Sequence, residues 1–295
     1  MASANLTRYA WLSIATAFVT LSLKIWAYYL TNSVGMLSDA IESIVNVGAA
    51  IMALTMLTIA ARPADDDHAF GHSKAEYFSS GVEGALIFIA ALSIIWAAWP
   101  RLLHPQAIEA LNWGFAISLF ASALNFAAAM ILLQAGKKYH SITLEADAHH
   151  LMTDVWTSVG VLVAIGAIAL TGWYILDAVI AIGVALNILW TGWQLLYRSV
   201  NGLMDAALPV DEIDQIRAIL DDYSKREGIS YQALKTRQAG SRKFVSVHIL
   251  VAGDWSVQKA HDLIDIIETD IEKSLFGCHV LTHLEPIEAP SSHHL

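Results

Sequence analysis

The sequence predicts an α-helical membrane domain with six transmembrane helices, followed by a small cytoplasmic α/β domain. Three observations predict it. Hydrophobic residues make up 56% of the 295-residue chain and charged residues only 15%, where a soluble domain carries about a quarter charged residues. The apolar residues are gathered into runs that approach or exceed the ~20 residues that span a bilayer as a helix. Beyond roughly residue 205 the pattern changes: charges become frequent, apolar residues become spaced, and no run is long enough to span. The expected organisation is therefore a transmembrane domain over residues 1–205, a C-terminal domain over 206–288 and a disordered tail, "APSSHHL", over 289–295.

Hydropathy places six spans at roughly 8–30, 34–61, 78–99, 111–135, 145–171 and 174–198. The first begins in "MASANLTRYAWLSIATAF", which lacks a signal-peptide cleavage pattern and reads as a retained helix. The connections alternate in charge. Arg62 and Lys74 follow span two, Lys137 and Lys138 follow span four, and Arg198 ends span six, whereas "LTNS" and "LTGWY" carry no base and "PRLLHPQAIEA" carries only Arg101. Lys and Arg favour the cytoplasmic side, so both termini are expected there. Trp96, Trp99, Trp113, Trp173 and Trp193 fall near span ends, as an aromatic belt does.

The C-terminal region reads helix, strand, strand, helix, strand. "PVDEIDQIRAILDDYSK" starts on a proline and acidic residues and continues with apolar residues at helical spacing. "SRKFVSVHILVAG" alternates as a strand. "SVQKAHDLIDIIETDIEKSL" is amphipathic behind a candidate N-cap, Ser256, and "CHVLTHLEP" is a final short strand.

Composition excludes several classes. The single cysteine, Cys278, rules out an internal disulfide framework and a cysteine-based zinc cluster. The net charge of −10, without a basic patch, argues against nucleic acid. Neither H-E-x-x-H nor G-x-S-x-G occurs, so the signatures of a zinc hydrolase or serine hydrolase are missing.

The chemistry gathers in spans two and five. In "EADAHHLMTDVW", His150 and Asp154 are four apart, one helical turn on one face, and Asp147 lies three before His150. His149 points about 100° away. A charge at mid-bilayer costs roughly 2.5–3.5 kcal/mol on the insertion scale, so such groups generally face the bundle interior and mark an ion or proton path. Span two repeats the pattern: Asp39, Glu42 and Asn46 match Asp147, His150 and Asp154. Two facing helices thereby offer Glu42, Asn46, His150 and Asp154 to one point, four O/N donors that suit a tetrahedral divalent cation with bonds of about 2.0–2.2 Å. The competing use of these groups is interhelical hydrogen bonding. The loop "PADDDHAFGHSKAE" adds Asp65, His68 and His72, compact enough for one metal and equally compatible with a solvated acidic loop. In the C-terminal domain, His248, His261, His283 and Glu285 either converge or serve separately; spacing does not choose between these.

Together, "GMLSDAIES", "FGHSKAE", "EADAHHLMTD" and "LKTRQAG", in that order along nearly the whole chain, resemble the cation diffusion facilitators, specifically their bacterial zinc/iron efflux branch. The resemblance implies a metallochaperone-like αββαβ cytoplasmic domain, a homodimer tightened by metal, and a multi-pass protein of the bacterial inner membrane. It implies a transport site at Glu42, Asn46, His150 and Asp154, a loop site at Asp65, His68 and His72, and a cytoplasmic site at His248, His261, His283 and Glu285. It also implies an ionic lock between Lys74 and Asp205. Two departures stand out. Asn46 replaces the Asp or His usual in span two, removing one negative charge from a site whose oxygen donors also suit Mn and Fe(II). Gln232 replaces a further histidine of close relatives. The function implied is proton-coupled antiport exporting divalent transition-metal ions, zinc foremost, with Fe(II), Mn, Co and Cd as further candidates. Protons are the counter-substrate, because an unperturbed imidazole titrates near pH ~6.5 and must be neutral to bind metal. A non-transporting metal sensor and a metal-permeable channel are the alternatives.

Overall fold

In the computed structural model, the backbone is described over residues 3–31, 34–104 and 113–287; side chains are described over the same residues except 3–5, 31, 34–42, 45, 113–115, 161, 165, 169 and 177. The expected tail over 289–295, with His293 and His294, lies outside the described residues. The chain divides into two compact units, 1–200 and 201–295.

The first unit is built of six long helices: α1 (Ser3–Thr31), α2 (Val34–Ala60), α3 (Ala75–Leu103), α4 (Trp113–Tyr139), α5 (Ile142–Thr171) and α6 (Ile175–Leu203). They match the six apolar runs. Among the described residues, five stretches within α1, α3, α4, α5 and α6 are long and apolar enough to cross a membrane, and α2 contributes the apolar segment Asn46–Ala60. Their outward faces carry the large apolar side chains. Trp11, Phe18, Trp26, Trp96, Phe120, Leu170 and Trp190 are all exposed, as lipid-facing residues are when the bilayer is the solvent.

The inward faces are lined by small residues. Ala10 of α1, Ala128, Ala129 and Ala135 of α4, and Ala148 of α5 are buried together with Leu57, Leu132, Leu144 and Leu151. Small residues let helix backbones approach closely where no hydrophobic force drives helices together in lipid. One close approach is between α3 and α6. A Cβ on Gly192 would stand 3.0 Å from the Phe88 backbone N and 3.1 Å from the Gly84 carbonyl. Ile87, Ala91, Ala146, Ile188 and Leu195 extend this contact among α3, α5 and α6. Helix α5 ends at Gly172, whose φ of 72° is the left-handed cap conformation that glycine adopts without strain.

The second unit contains α7 (Val210–Glu227), β1 (Ser230–Ala239), β2 (Arg242–Val251), α8 (Val257–Ser274) and β3 (Cys278–Pro286). The αββαβ order matches the sequence expectation. The sheet order is β1-β2-β3, with β1 antiparallel and β3 parallel to β2. Strand alternation sorts the residues by face. Val245, Val247, Ile249 and Val251 point inward onto Ile216 and Leu220 of α7 and Ala260, Ile267 and Ile271 of α8. Ser256 caps α8, its hydroxyl accepting from the Lys259 N–H. A buried ion pair, Lys243 Nζ to Glu212 Oε1 at 2.8 Å, ties β2 to α7.

Candidate metal centre

The membrane-embedded cluster forms where α2 and α5 meet α1 and α4. One turn apart on α5, His150 and Asp154 both reach Asn46 of α2. The Asn46 amide donates to Asp154 Oδ2 at 2.9 Å, and its Oδ1 lies 2.9 Å from His150 Nε2. A hydrogen bond there requires the proton on Nε2, which leaves the Nδ1 lone pair for another use. That Nδ1 is buried without a hydrogen-bond partner among the described residues. The side chain of Glu42, the fourth expected member, lies outside the described residues, although its backbone continues α2.

Two further groups join this cluster that pattern reading missed. Lys24 of α1 places its Nζ 3.4 Å from Asp154 Oδ2, and the Asn125 amide of α4 donates to the same oxygen at 2.8 Å. Both are buried, Lys24 at 2% exposure and Asn125 at 0%. The signal was present in "LSLKIWAYY" and "SALNFAAAM", each a lone strongly polar residue inside an apolar run, which in a membrane helix marks a bundle-facing position.

A second polar layer involves α1, α3 and α5. Ser13 donates to Asp147 Oδ1 at 2.9 Å, and Ser79 donates to Glu83 Oε1 at 3.0 Å. Glu83 and Asp147 are both buried. Each leaves its second oxygen without a partner among the described residues.

In the loop between α2 and α3, Asp65, His68 and His72 come together: one ligand atom from each lies within 4.8 Å of the others. His68 Nδ1 is 3.2 Å and His72 Nε2 3.4 Å from the Asp65 carboxylate, and the two rings are 4.3 Å apart. Desolvation pushes the Asp65 carboxyl up, but hydrogen bonds from the His68 backbone and ring, with the nearby imidazoles, outweigh it and hold the group below its ordinary value.

In the second unit, register decides which residues meet. Gln232, His248 and His283 are cross-strand neighbours, and all belong to the sheet face turned away from the two helices. His248 Nδ1 lies 2.8 Å and His283 Nε2 3.7 Å from Glu285 Oε1, while the Gln232 amide donates to Glu285 Oε2 at 2.9 Å. His261 does not join them. It lies on exposed α8, against the opposite sheet face, with its Nε2 3.5 Å from Asp265. Of the expected set, His248, His283 and Glu285 meet within this chain, with Gln232 beside them, and His261 lies apart on α8. Asp205 pairs with Arg237 at 3.0 Å inside the second unit.

A bundle of apolar helices with carboxylate, imidazole and amide donors buried at its centre, followed by an αββαβ domain carrying a second His/Glu cluster, defines a membrane transporter of cations. The profile of the cation efflux transmembrane domain matches residues 10–204, and that of the cation efflux protein cytoplasmic domain, a dimerisation module of these proteins, matches residues 208–287. The chain belongs to the cation efflux family, the cation diffusion facilitators. It is similar to the uncharacterized transporter sll1263 of Synechocystis, at 52% identity over 98% of this chain and 94% of that protein. It is also similar to the cation-efflux pump FieF of Klebsiella pneumoniae, at 29% identity over 95% and 92%, and to FieF of Shewanella oneidensis, at 29% over 94% and 92%. The protein is thus a multi-pass membrane transporter of a family that moves divalent metal cations, and not an enzyme.

Proposed function

We propose that this chain is a proton-coupled antiporter that exports zinc from the cytoplasm, with Glu42, Asn46, His150 and Asp154 as the transport site. The observation that carries this reading is the meeting of Asn46, His150 and Asp154 inside the bundle. One imidazole nitrogen, one carboxylate and one amide oxygen from two helices are a donor set for a divalent transition metal. Metal binding requires a neutral imidazole and an ionised carboxylate, so protons and metal compete for the same atoms. Facing the cytoplasm, the site takes metal and releases protons; facing outward, protons return and the metal leaves. The helices rock between the two states, as alternating access demands. The oxygen-rich set also accepts Fe(II) and Mn(II).

Asp65, His68 and His72 form a second cation site at the base of the bundle. His248, His283 and Glu285 form a third, which stabilises the homodimer. The base-rich connections put both termini in the cytoplasm, and the membrane is the bacterial inner membrane. The test is zinc, iron(II) and manganese flux in proteoliposomes under a pH gradient, for the parent and for Asp154→Asn. Saturable uptake that needs the gradient and is lost in the variant supports the antiporter. Gradient-independent flux would make the protein a channel, and flux unaffected by Asp154→Asn would remove the site from transport.

A further inference from the structure

Among the groups around Asp154, Lys24 has no place in the ligand set, and its geometry is unusual. Two amides already donate to Asp154 Oδ2, Asn46 at 2.9 Å and Asn125 at 2.8 Å. Those two bonds meet the lone-pair capacity of the oxygen. Lys24 approaches the same atom at a longer 3.4 Å. It therefore adds little hydrogen bonding to that oxygen. What it adds is a full positive charge, held at 2% exposure inside the bundle.

A divalent ion bound to this carboxylate would stand about 2 Å from its oxygen. With Nζ 3.4 Å from Oδ2, ion and ammonium would be separated by no more than about 5.5 Å on that oxygen, three positive charges against the two carboxylates proposed for the site, Asp154 and Glu42. The two cations therefore compete for Asp154. The lysine stem is flexible, so its ammonium can leave Asp154 by rotation about side-chain bonds without moving the backbone.

We propose that Lys24 is a tethered counter-cation: its ammonium takes the place of the metal on Asp154 when the metal departs and is displaced when metal returns. The inference rests on the reading of Asp154 as a transport ligand. Its consequence is that, in the metal-free carrier, a cation of the protein itself stands against Asp154, beside the protons that return to the other groups of the site. Lys24 is a positioning and specificity residue, set to weaken metal binding in exchange for turnover.

The experiment uses the full-length protein in proteoliposomes, with zinc as the probe, and compares parent, Lys24→Met, Lys24→Gln and Lys24→Arg. Three readouts are taken: zinc affinity by calorimetry, net zinc flux, and zinc–zinc exchange, which needs only the loaded carrier. Removing a nearby like charge is expected to tighten zinc binding by about tenfold or more. Net flux should fall about tenfold as the unneutralised empty carrier stalls, while exchange stays within about twofold of the parent. Lys24→Gln should behave as Lys24→Met, because charge rather than hydrogen bonding is at work. Lys24→Arg should keep most of the net flux.

Unchanged zinc affinity, equal loss of net flux and exchange, or parent-like behaviour of Lys24→Gln would each overturn the tethered-cation role. If Lys24→Met fails to fold, Lys24→Gln and Lys24→Arg decide the question by the same readouts. Failure of the underlying reading looks different: zinc exchange in Asp154→Asn would equal that of the parent, whatever the lysine variants do.

Discussion

The pair formed by Lys24 and Asp154 has a consequence for stability that is separate from transport. Replacing Asp154 by leucine removes the carboxylate that faces the Lys24 ammonium at 3.4 Å and accepts from Asn46 and Asn125. At that distance the attraction is about 5 kcal/mol at an effective dielectric of about 20. Much of this is offset by the cost of taking both charges out of water, so the pair contributes little compared with an apolar replacement of both. Removing one member alone is different, because it strands the other charge in the bundle. Asp154→Leu should therefore cost about 3–5 kcal/mol. In the double variant Lys24→Met/Asp154→Leu the stranded charge is gone, and what remains is two amides without their acceptor, about 1–3 kcal/mol. The double-mutant cycle should return a coupling of at least about 2 kcal/mol, because the cost of Lys24→Met adds to the difference between Asp154→Leu and the double variant. The assay is reversible unfolding of the four proteins in mixed micelles by increasing SDS, followed by tryptophan fluorescence. Single costs that add to within about 0.5 kcal/mol would refute a buried ion pair between α1 and α5.

Three further outcomes are expected. Gly192→Leu should destabilise the bundle by about 1–3 kcal/mol, since any side chain there meets the α3 backbone at 3.0–3.1 Å; an unaltered SDS midpoint would mean α3 and α6 do not touch at this point. Cys278 is buried, and burial first, then Glu272, pushes its thiol up to about 11 from the ordinary 9.0. Its contribution to stability is full below about pH 9 and is lost as pH rises through about 11. Maleimide labelling at pH 7.5 should accordingly be about a hundredfold slower in the folded protein than after denaturation, and labelling at the denatured rate would contradict the buried thiol. In the loop, Asp65 is held below its ordinary value, so its charge stabilises the loop above that ordinary value and is lost only as pH falls through the lowered one. In an Asp154→Asn background, Asp65→Asn should weaken loop zinc binding about tenfold; unchanged loop binding would remove Asp65 from that site.

Much of the fold was legible because lipid imposes simple rules. Backbone polar groups must be satisfied within a spanning segment, so an apolar run of the right length is a helix. Six runs became α1 to α6. In the second unit, the period-two run "KFVSVHILV" became β2 with Val245, Val247 and Ile249 inward. The candidate site was partly legible for the same kind of reason. His150 and Asp154 share a face because four residues make about one turn, and Asn46 could be matched to them by repetition of the motif on α2.

What the sequence determined by itself is therefore local: which segments are helices or strands, which side of each is apolar, and which neighbours one turn or two residues apart share a face. Only the tertiary structure decided which faces meet. Lys24 and Asn125 are isolated polar residues with no motif around them, and their membership of the Asp154 cluster depends on how α1 and α4 pack against α5. Asp147 finds Ser13 across helices far apart in the chain. Spacing left open whether His261 meets His248 and His283; within the chain it lies on α8, which packs on the other face of the sheet. Local periodicity carries the direction of a side chain about its own element, whereas a site depends on the relative placement of several elements, which long-range packing alone sets.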